Sequence, residues 1–296
     1  MTEITWGLLV GEMTLRETWS TGNANDTLAL ARLLLDTNFI YRSPVTRDTA
    51  SLLLEGESLL GWQGAVLEFA LVAGGEDWPV VDLLLCAVAN TAVLVDLAHQ
   101  ALPMLEARVL ARGGRWLRVV DGPAWLVRQL IPRYDQITIV FYQRSGSPQI
   151  HQPELLGGLR VRCPINSDLL QLTQVDKASF APFWRASASG LGRWLQNANR
   201  ALTLSTGNQI VAFILARLQG DIGYIWRLAV LPEWQGRGLG RWLMTHTISG
   251  MLTDGAATIT LNTQASNQRA RGLYERLGFS LTCQEVSGWA KDLTLR

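Results

Sequence analysis

Residues 226–244 read WRLAVLPEWQGRGLGRWLM, with glycines at 236, 238 and 240 between an apolar strand pattern and a helix pattern. Glycines at that spacing let consecutive main-chain N–H groups converge, and the helix that follows adds the positive end of its dipole. Arg237 and Arg241 flank the turn and offer charge-assisted hydrogen bonds. The guest such a cradle suits is a phosphate or pyrophosphate; the plainer reading is a glycine-rich helix start with solvated arginines. Two familiar phosphate sites are excluded by spacing. No Gly-Lys-Ser/Thr follows a glycine at nucleoside-triphosphate-loop distance, and no GxGxxG opens a first strand-to-helix turn with an acidic ribose ligand downstream.

The elements that must position this turn follow from apolar periodicity and turn residues. The second half reads as a strand at 159–162, a helix at 169–180, and strands at 201–205 and 210–218 joined by Thr206-Gly207-Asn208 at hairpin spacing. After them come a strand at 224–231, a helix at 238–252, a strand at 258–263, a helix at 267–277 and a terminal strand pair at 280–295. Three strands in a meander before the first crossover helix predict a mixed α/β sheet, not a doubly wound one.

The first half echoes that order. It reads as a strand at 7–12, helices at 27–35 and 48–54, strands at 65–73 and 83–90, a helix at 94–111, a strand at 116–120, a helix at 124–130 and a strand at 137–142. The stretch 144–158, rich in Ser, Gly, Pro and Gln, reads as a linker, which gives domains at 1–145 and 159–296 joined by 146–158. Where the second half has its glycine turn, the first half has Thr91 to Leu97 and no glycine, so no phosphate cradle is expected there.

The turn and a second segment carry a family resemblance. Gln235, Gly238 and Gly240, with the lead-in Val230 and Pro232, resemble motif A of the GCN5-related N-acetyltransferase (GNAT) superfamily. The run Asn267 to Phe279, NQRARGLYERLGF, resembles the same family's motif B, and 159–185 is similar to its opening strand and helix. The resemblance implies the mixed-sheet acyl-CoA N-acyltransferase fold in two tandem domains, the first degenerate, with acetyl-CoA as acyl donor. It implies that Gln235, Gly236, Arg237, Gly238, Leu239, Gly240 and Arg241 hold the coenzyme A pyrophosphate, and that Leu228, Ala229 and Val230 present a splayed strand edge to the pantetheine arm and thioester. Asn267 would contact the cofactor and Tyr274 would be the general acid for the departing thiolate. Tyr274 also lies at i+7 from Asn267 and i+4 from Ala270, the spacing of a tyrosine on a packed helix face. Leu273, Leu277 and Phe279 are assigned to the core.

No general base stands out. Where ribosomal-protein N-terminal acetyltransferases, which the motifs also resemble, carry a Glu in the strand before motif B, this chain has Asn262. A neutral amide takes no proton from an ammonium, and Glu233 and Tyr224 are weak substitutes.

Composition narrows the rest. The 296 residues hold 26 Lys and Arg against 25 Asp and Glu, a formal net charge of +1, so no overall field draws in nucleic acid. Cys86, Cys163 and Cys283 lie far apart, and His99, His151 and His246 share no metal-ligand spacing, so neither disulfides nor a metal is expected and a reducing cytoplasm fits. The apolar runs at 80–85 and 92–97 are interrupted by Asp82 and Asp96 and fall far short of the ~20 residues of a membrane span. The N-terminal residues have the pattern of neither a signal peptide nor an anchor. The expected activity is acetyl transfer from acetyl-CoA to a primary amine of a small molecule or a protein N-terminus. The alternatives are an acyl-CoA sensor without turnover and a two-domain scaffold.

Overall fold

The structure, a computed structural model, describes residues 3–8, 11–18, 24–42, 57–63, 66–74, 79–90, 93, 100–146 and 152–295. The chain divides into two compact units, Met1–Ile137 with Val286–Arg296, and Thr138–Glu285.

The first unit contains β1 (Glu3–Leu8), β2 (Gly11–Thr18), α1 (Ala24–Asp36), β3 (Phe39–Arg42), β4 (Glu57–Gln63), β5 (Val66–Gly74), β6 (Val80–Val88), α2 (Leu102–Ala111), β7 (Trp116–Val120) and α3 (Ala124–Leu130). Its strands pair in the order β1-β2-β4-β5-β6-β7, antiparallel except for a parallel β6–β7 contact, and β3 also pairs with β6. The alternation of a strand sends Phe69 and Leu71 to one face, under Leu102, Leu105 and Val109 of α2, and Ala70 and Val72 to the other, under Leu30 and Leu33 of α1. On β6 that alternation changes phase. Val81 and Leu83 share a face with Cys86 and Val88, while Leu84 joins Leu85 and Ala87 opposite. The cause is a bulge, for Val72 pairs with Leu85 and Ala73 with Leu83, leaving Leu84 as the extra residue.

The second unit begins within β8 (Asp135–Ser145), at Thr138, and continues with β9 (Arg160–Arg162), α4 (Leu169–Ser179), α5 (Ala188–Asn197), β10 (Arg200–Thr206), β11 (Gln209–Gln219), β12 (Ile222–Val230), α6 (Leu239–Thr253), β13 (Thr258–Gln264) and α7 (Gln268–Arg276). The sheet order is β8-β13-β12-β11-β10-β9, with β12–β13 parallel and the other pairs antiparallel. The β10–β11 hairpin turns on Gly207 and Asn208, with Gly207 at φ +54° where an L side chain is disfavoured. Val211 to Ala216 of β11 are fully buried and are packed by Leu172 and Val175 of α4 and Leu243, Met244 and Ile248 of α6.

One further strand, β14 (Ser280–Asp292), serves both units: 280–285 fall in the second and 286–292 in the first. In the first unit Gly288–Asp292 pair antiparallel with Val120–Trp116 of β7. Two ion pairs fix this segment there, Lys291 Nζ to Glu106 of α2 at 2.6 Å and Asp292 to Arg115 at 2.8 Å. Arg115 and the Thr294 hydroxyl and amide hold the Asp292 carboxyl at about 2, below the usual carboxylate range.

The structure corrects several sequence expectations. The single strand at 7–12 is a hairpin, β1 and β2, and the terminal strand pair is the one continuous β14. β8, expected to close the first half, pairs with β13 of the second, and the compact units divide at 137/138 and again at 285/286. The helix expected at 48–54 and residues 94–99 of the long helix lie outside the described residues. Among the described residues no helix is long and apolar enough to cross a membrane.

Candidate active site

β12 and β13 pair over three residues only, Ile222–Tyr224 against Thr258–Thr260, and then part. β13 continues against β8 from Leu261 to Gln264, so Ile225 to Val230 have no neighbour on that side. The divergence begins at a bulge. Leu215 pairs with Arg227 and Ala216 with Ile225, which leaves Trp226 as the extra residue.

Antiparallel pairing decides which groups face the opening. The Leu231 N–H donates to Val211 O, so by alternation Arg227 and Ala229 also bond to β11, while Leu228 and Val230 turn their main-chain groups outward. The Val230 carbonyl accepts from Ser179 Oγ and Gln235 Nε2, each at 2.9 Å. The Leu228 N–H and C=O and the Val230 N–H are left on the open edge.

The chain leaves β12 through a short 3-10 turn at Pro232–Trp234 and enters α6 through the glycine turn. Gly236 has φ +79° and Gly238, at the helix cap, φ +83°. A Cβ at either would meet nothing within 4 Å, so the constraint is conformational and the cradle is open. The amides on either side are used: Trp234 N–H donates to Leu231 O, Gln235 N–H to Pro232 O, and Trp242 N–H to Gly238 O. The six N–H groups of residues 236 to 241 have no acceptor among the described residues. They collect at the mouth of a 15-residue helix, where its dipole adds to them.

These groups line one cleft of about 570 Å³ in the second unit. Leu228, Ala229, Val230, Gln235, Gly236, Gly238, Leu239, Gly240, Arg241, Asn267 and Tyr274 all border it. Arg237 does not; its guanidinium lies over the Trp234 ring at 5.0 Å. The side chain of Gln235 is a strut, bonded to Val230 O at one end and accepting from Arg269 Nη1 at 2.6 Å at the other, so it ties the end of β12 to α7. Asn267 caps α7, its Oδ1 accepting from Ala270 N–H at 3.1 Å.

Tyr274 is buried, its ring edge-on to Tyr142 at 5.8 Å, and its hydroxyl has no partner among the described residues. Burial is the main force on the phenol and Tyr142 adds to it; Arg227 opposes them, and the result is a pKa pushed up to about 12. The group therefore holds its proton through the neutral range, as a general acid must.

Sequence reasoning missed Arg227, Arg269, Phe180 and Trp234, all of which border the cleft. Arg227 Nε pairs with fully buried Asp176 Oδ2 at 2.6 Å, its Nη2 donates to Trp184 O at 2.7 Å, and its guanidinium stacks 3.5 Å above the Phe180 ring. The only sequence signal was a lone arginine inside an otherwise apolar strand. Neither Glu233 nor Tyr224, the two residues weighed as bases, borders the cleft, while the neutral Asn262 does. His246 stacks on Trp242 with Nδ1 3.2 Å from the Trp242 carbonyl, a packing role.

The GNAT acetyltransferase family model matches residues 169–279, from the first residue of α4 to the end of motif B. That span holds the parted strands, the glycine turn and the capped α7. These residues belong to the GNAT acetyltransferase family. Among curated proteins, a [ribosomal protein bS18]-alanine N-acetyltransferase of Salmonella typhimurium is 39% identical over 79 residues, which is 27% of this chain and 53% of that protein. The chain thus spans about half the length of the curated relative it matches. Among solved structures, a GCN5-related N-acetyltransferase from Sphaerobacter thermophilus superposes over 95% of this chain and 96% of its own, with a TM-score of 0.52 at 15% identity. A tandem GNAT protein from the clavulanic acid biosynthesis pathway covers 95% of this chain and 98% of its own, with a TM-score of 0.50 at 12% identity. The GNAT fold therefore extends over both units, as the echo between the two halves of the sequence predicts.

Proposed function

We propose that the GNAT domain of the second unit transfers the acetyl group of acetyl-CoA to a primary amine of a small molecule or a protein N-terminus. The observation that carries this reading is the set of unspent N–H groups at 236–241 opening into the same cleft as the free edge of β12. A diphosphate suits the first, and an extended amide-bearing arm suits the second.

In this reading residues 236–241 hold the pyrophosphate, with Arg241 and Arg269 beside them. Leu228 and Val230 offer main-chain groups to the pantetheine amides, and the Leu228 N–H is a donor for the oxygen that becomes negative during acyl transfer. Acetyl-CoA supplies an activated acetyl thioester. Tyr274 gives its proton to the departing thiolate, and its raised pKa keeps that proton available. Asn267 contributes by capping α7 and so fixing where Tyr274 stands. The curated relative named above acts on an alanine of ribosomal protein bS18, which supports an amine or peptide N-terminus as the acceptor class. All three cysteines are free, in keeping with a cytoplasmic setting.

Calorimetry with acetyl-CoA tests the cradle, and thiol release with a panel of amines tests turnover. Binding with thiol release is the expected result. Absence of binding refutes the reading, and binding without release from any amine reduces the domain to a sensor.

A further inference from the structure

Among the described residues, the ionisable side chains bordering the cleft are guanidinium groups and one phenol, with no carboxylate, imidazole or amine. These are the guanidinium groups of Arg227, Arg241, Arg269 and Arg276 and the phenol of Tyr274. A guanidinium does not give up its proton in proteins, so none of the four takes one from a substrate.

The carboxylates behind the lining are occupied. Asp176, on α4, is fully buried and spends Oδ2 on Arg227 Nε and Oδ1 on the Ala186 N–H. Glu275, on α7, accepts from the Tyr142 hydroxyl at 3.1 Å, which in turn accepts from Arg271 Nε at 2.9 Å. On β13 the lining residues are Leu261, Asn262, Thr263 and Gln264, none of which ionises, and the amide Asn262 is among them.

An amine attacks a thioester only as the free base. From these linings we infer that the domain acetylates amines of low basicity, α-amino groups, and takes them from solution already deprotonated. The inference rests on the acetyltransferase reading above and narrows its acceptor. The incoming nitrogen bonds to the acetyl carbon as the carbon–sulfur bond breaks. Tyr274 protonates the thiolate, the nitrogen's surplus proton leaves to water, and Tyr274 regains its own from water.

Basicity then becomes a selection rule. An α-amino group, of pKa ~7.8, is about one-third free base at pH 7.5, whereas a lysine-like amine, of pKa ~10.4, is free in about one part in a thousand. The supply of reactive species alone favours the first by a factor of a few hundred. Both an amino-acid amide and a peptide N-terminus present such an amine, whereas in a free amino acid the neighbouring carboxylate makes the amine more basic.

The test is the pH dependence of kcat/KM for three acceptors: an amino-acid amide, a short peptide with a free N-terminus, and an N-blocked peptide with one lysine. The rising limb is expected at each acceptor's own pKa, near 8 for the first two and beyond pH 10 for the third. Near pH 7.5 the lysine peptide should lag by about a hundredfold or more. The ratio between the first two arms identifies the source of the α-amine. Asn262→Glu supplies a second reading: a carboxylate on β13 should move the limb to lower pH and narrow the gap to the lysine peptide. A limb at one pH shared by all three acceptors, or a preference for lysine, overturns the inference while leaving the transferase standing. Failure to bind acetyl-CoA in calorimetry overturns both.

Discussion

The two units open their sheets in the same way and do different things with the opening. In the first, β6 and β7 pair in parallel over Val80–Asp82 and Trp116–Arg118 and no further; in the second, β12 and β13 do so over Ile222–Tyr224 and Thr258–Thr260. Each opening strand carries a bulge against its antiparallel neighbour, at Leu84 and at Trp226. Past that point the likeness ends. β6 is buried along its whole length, whereas Tyr224 on β12 is exposed and Arg227 to Leu228 are half-buried along the cleft. At the last parallel pair the first unit places Asp82 opposite Arg118 in a two-bonded ion pair of 2.6 and 2.9 Å; the second places Tyr224 opposite Thr260. Seven residues past the cap of the following helix, the first unit has fully buried Leu130 where the second has Tyr274, and the caps are Pro123 and Asn267. A parted sheet is thus a property of the backbone. In the acetyltransferase reading proposed above, what would turn it into a site is an unfilled edge with the Tyr274 phenol beside it.

That contrast can be broken from either side. The largest expected effect is in the first unit: Asp82→Ala takes the two-bonded carboxylate from half-buried Arg118 and should cost about 3 kcal/mol of stability. Denaturant unfolding would show the loss, while acetyl-CoA affinity of the folded protein stays as before. Next is Gly238→Trp, which forces φ +83° on a bulky residue at the cradle and should weaken acetyl-CoA binding about 100-fold by calorimetry, with little change in melting temperature. Tyr274→Phe should lower kcat about 100-fold with cofactor affinity unchanged, since it removes a proton donor and little packing. Parallel losses in both quantities would make the residue a structural tyrosine like its leucine counterpart. The smallest effect is expected from Gly240→Ala. The added methyl would sit 3.8 to 3.9 Å from Leu228, Val230 and Leu273, ordinary contact, so affinity should change by less than about threefold.

The sequence was most legible where chemistry and backbone conformation coincide. Glycines at 236 and 238 mark positive φ angles, and the hairpin at Gly207-Asn208 was readable for the same reason. The strands of the second sheet could be placed because their apolar periods are long and their turns short. What stayed hidden depends on distant partners. Nothing local distinguishes Arg227 in an apolar strand from a solvated arginine until Asp176, 51 residues away, is packed against it. Gln235 reads as a ligand for phosphate, and only the fold reveals its bonds to Val230 and Arg269. The division of β14 was equally unreadable, because the stretch reads as a pair of strands and a strand pattern gives no sign of where its partner strand changes.

That division has a consequence for biosynthesis. Residues 286–292, which complete the first unit's sheet and bring Lys291 to Glu106, are translated after every residue of the second unit. Domains generally mature in the order they leave the ribosome. Here the amino-terminal unit must wait, its β7 edge unpaired and its Glu106 short of one cation, until the whole of the second unit has been made.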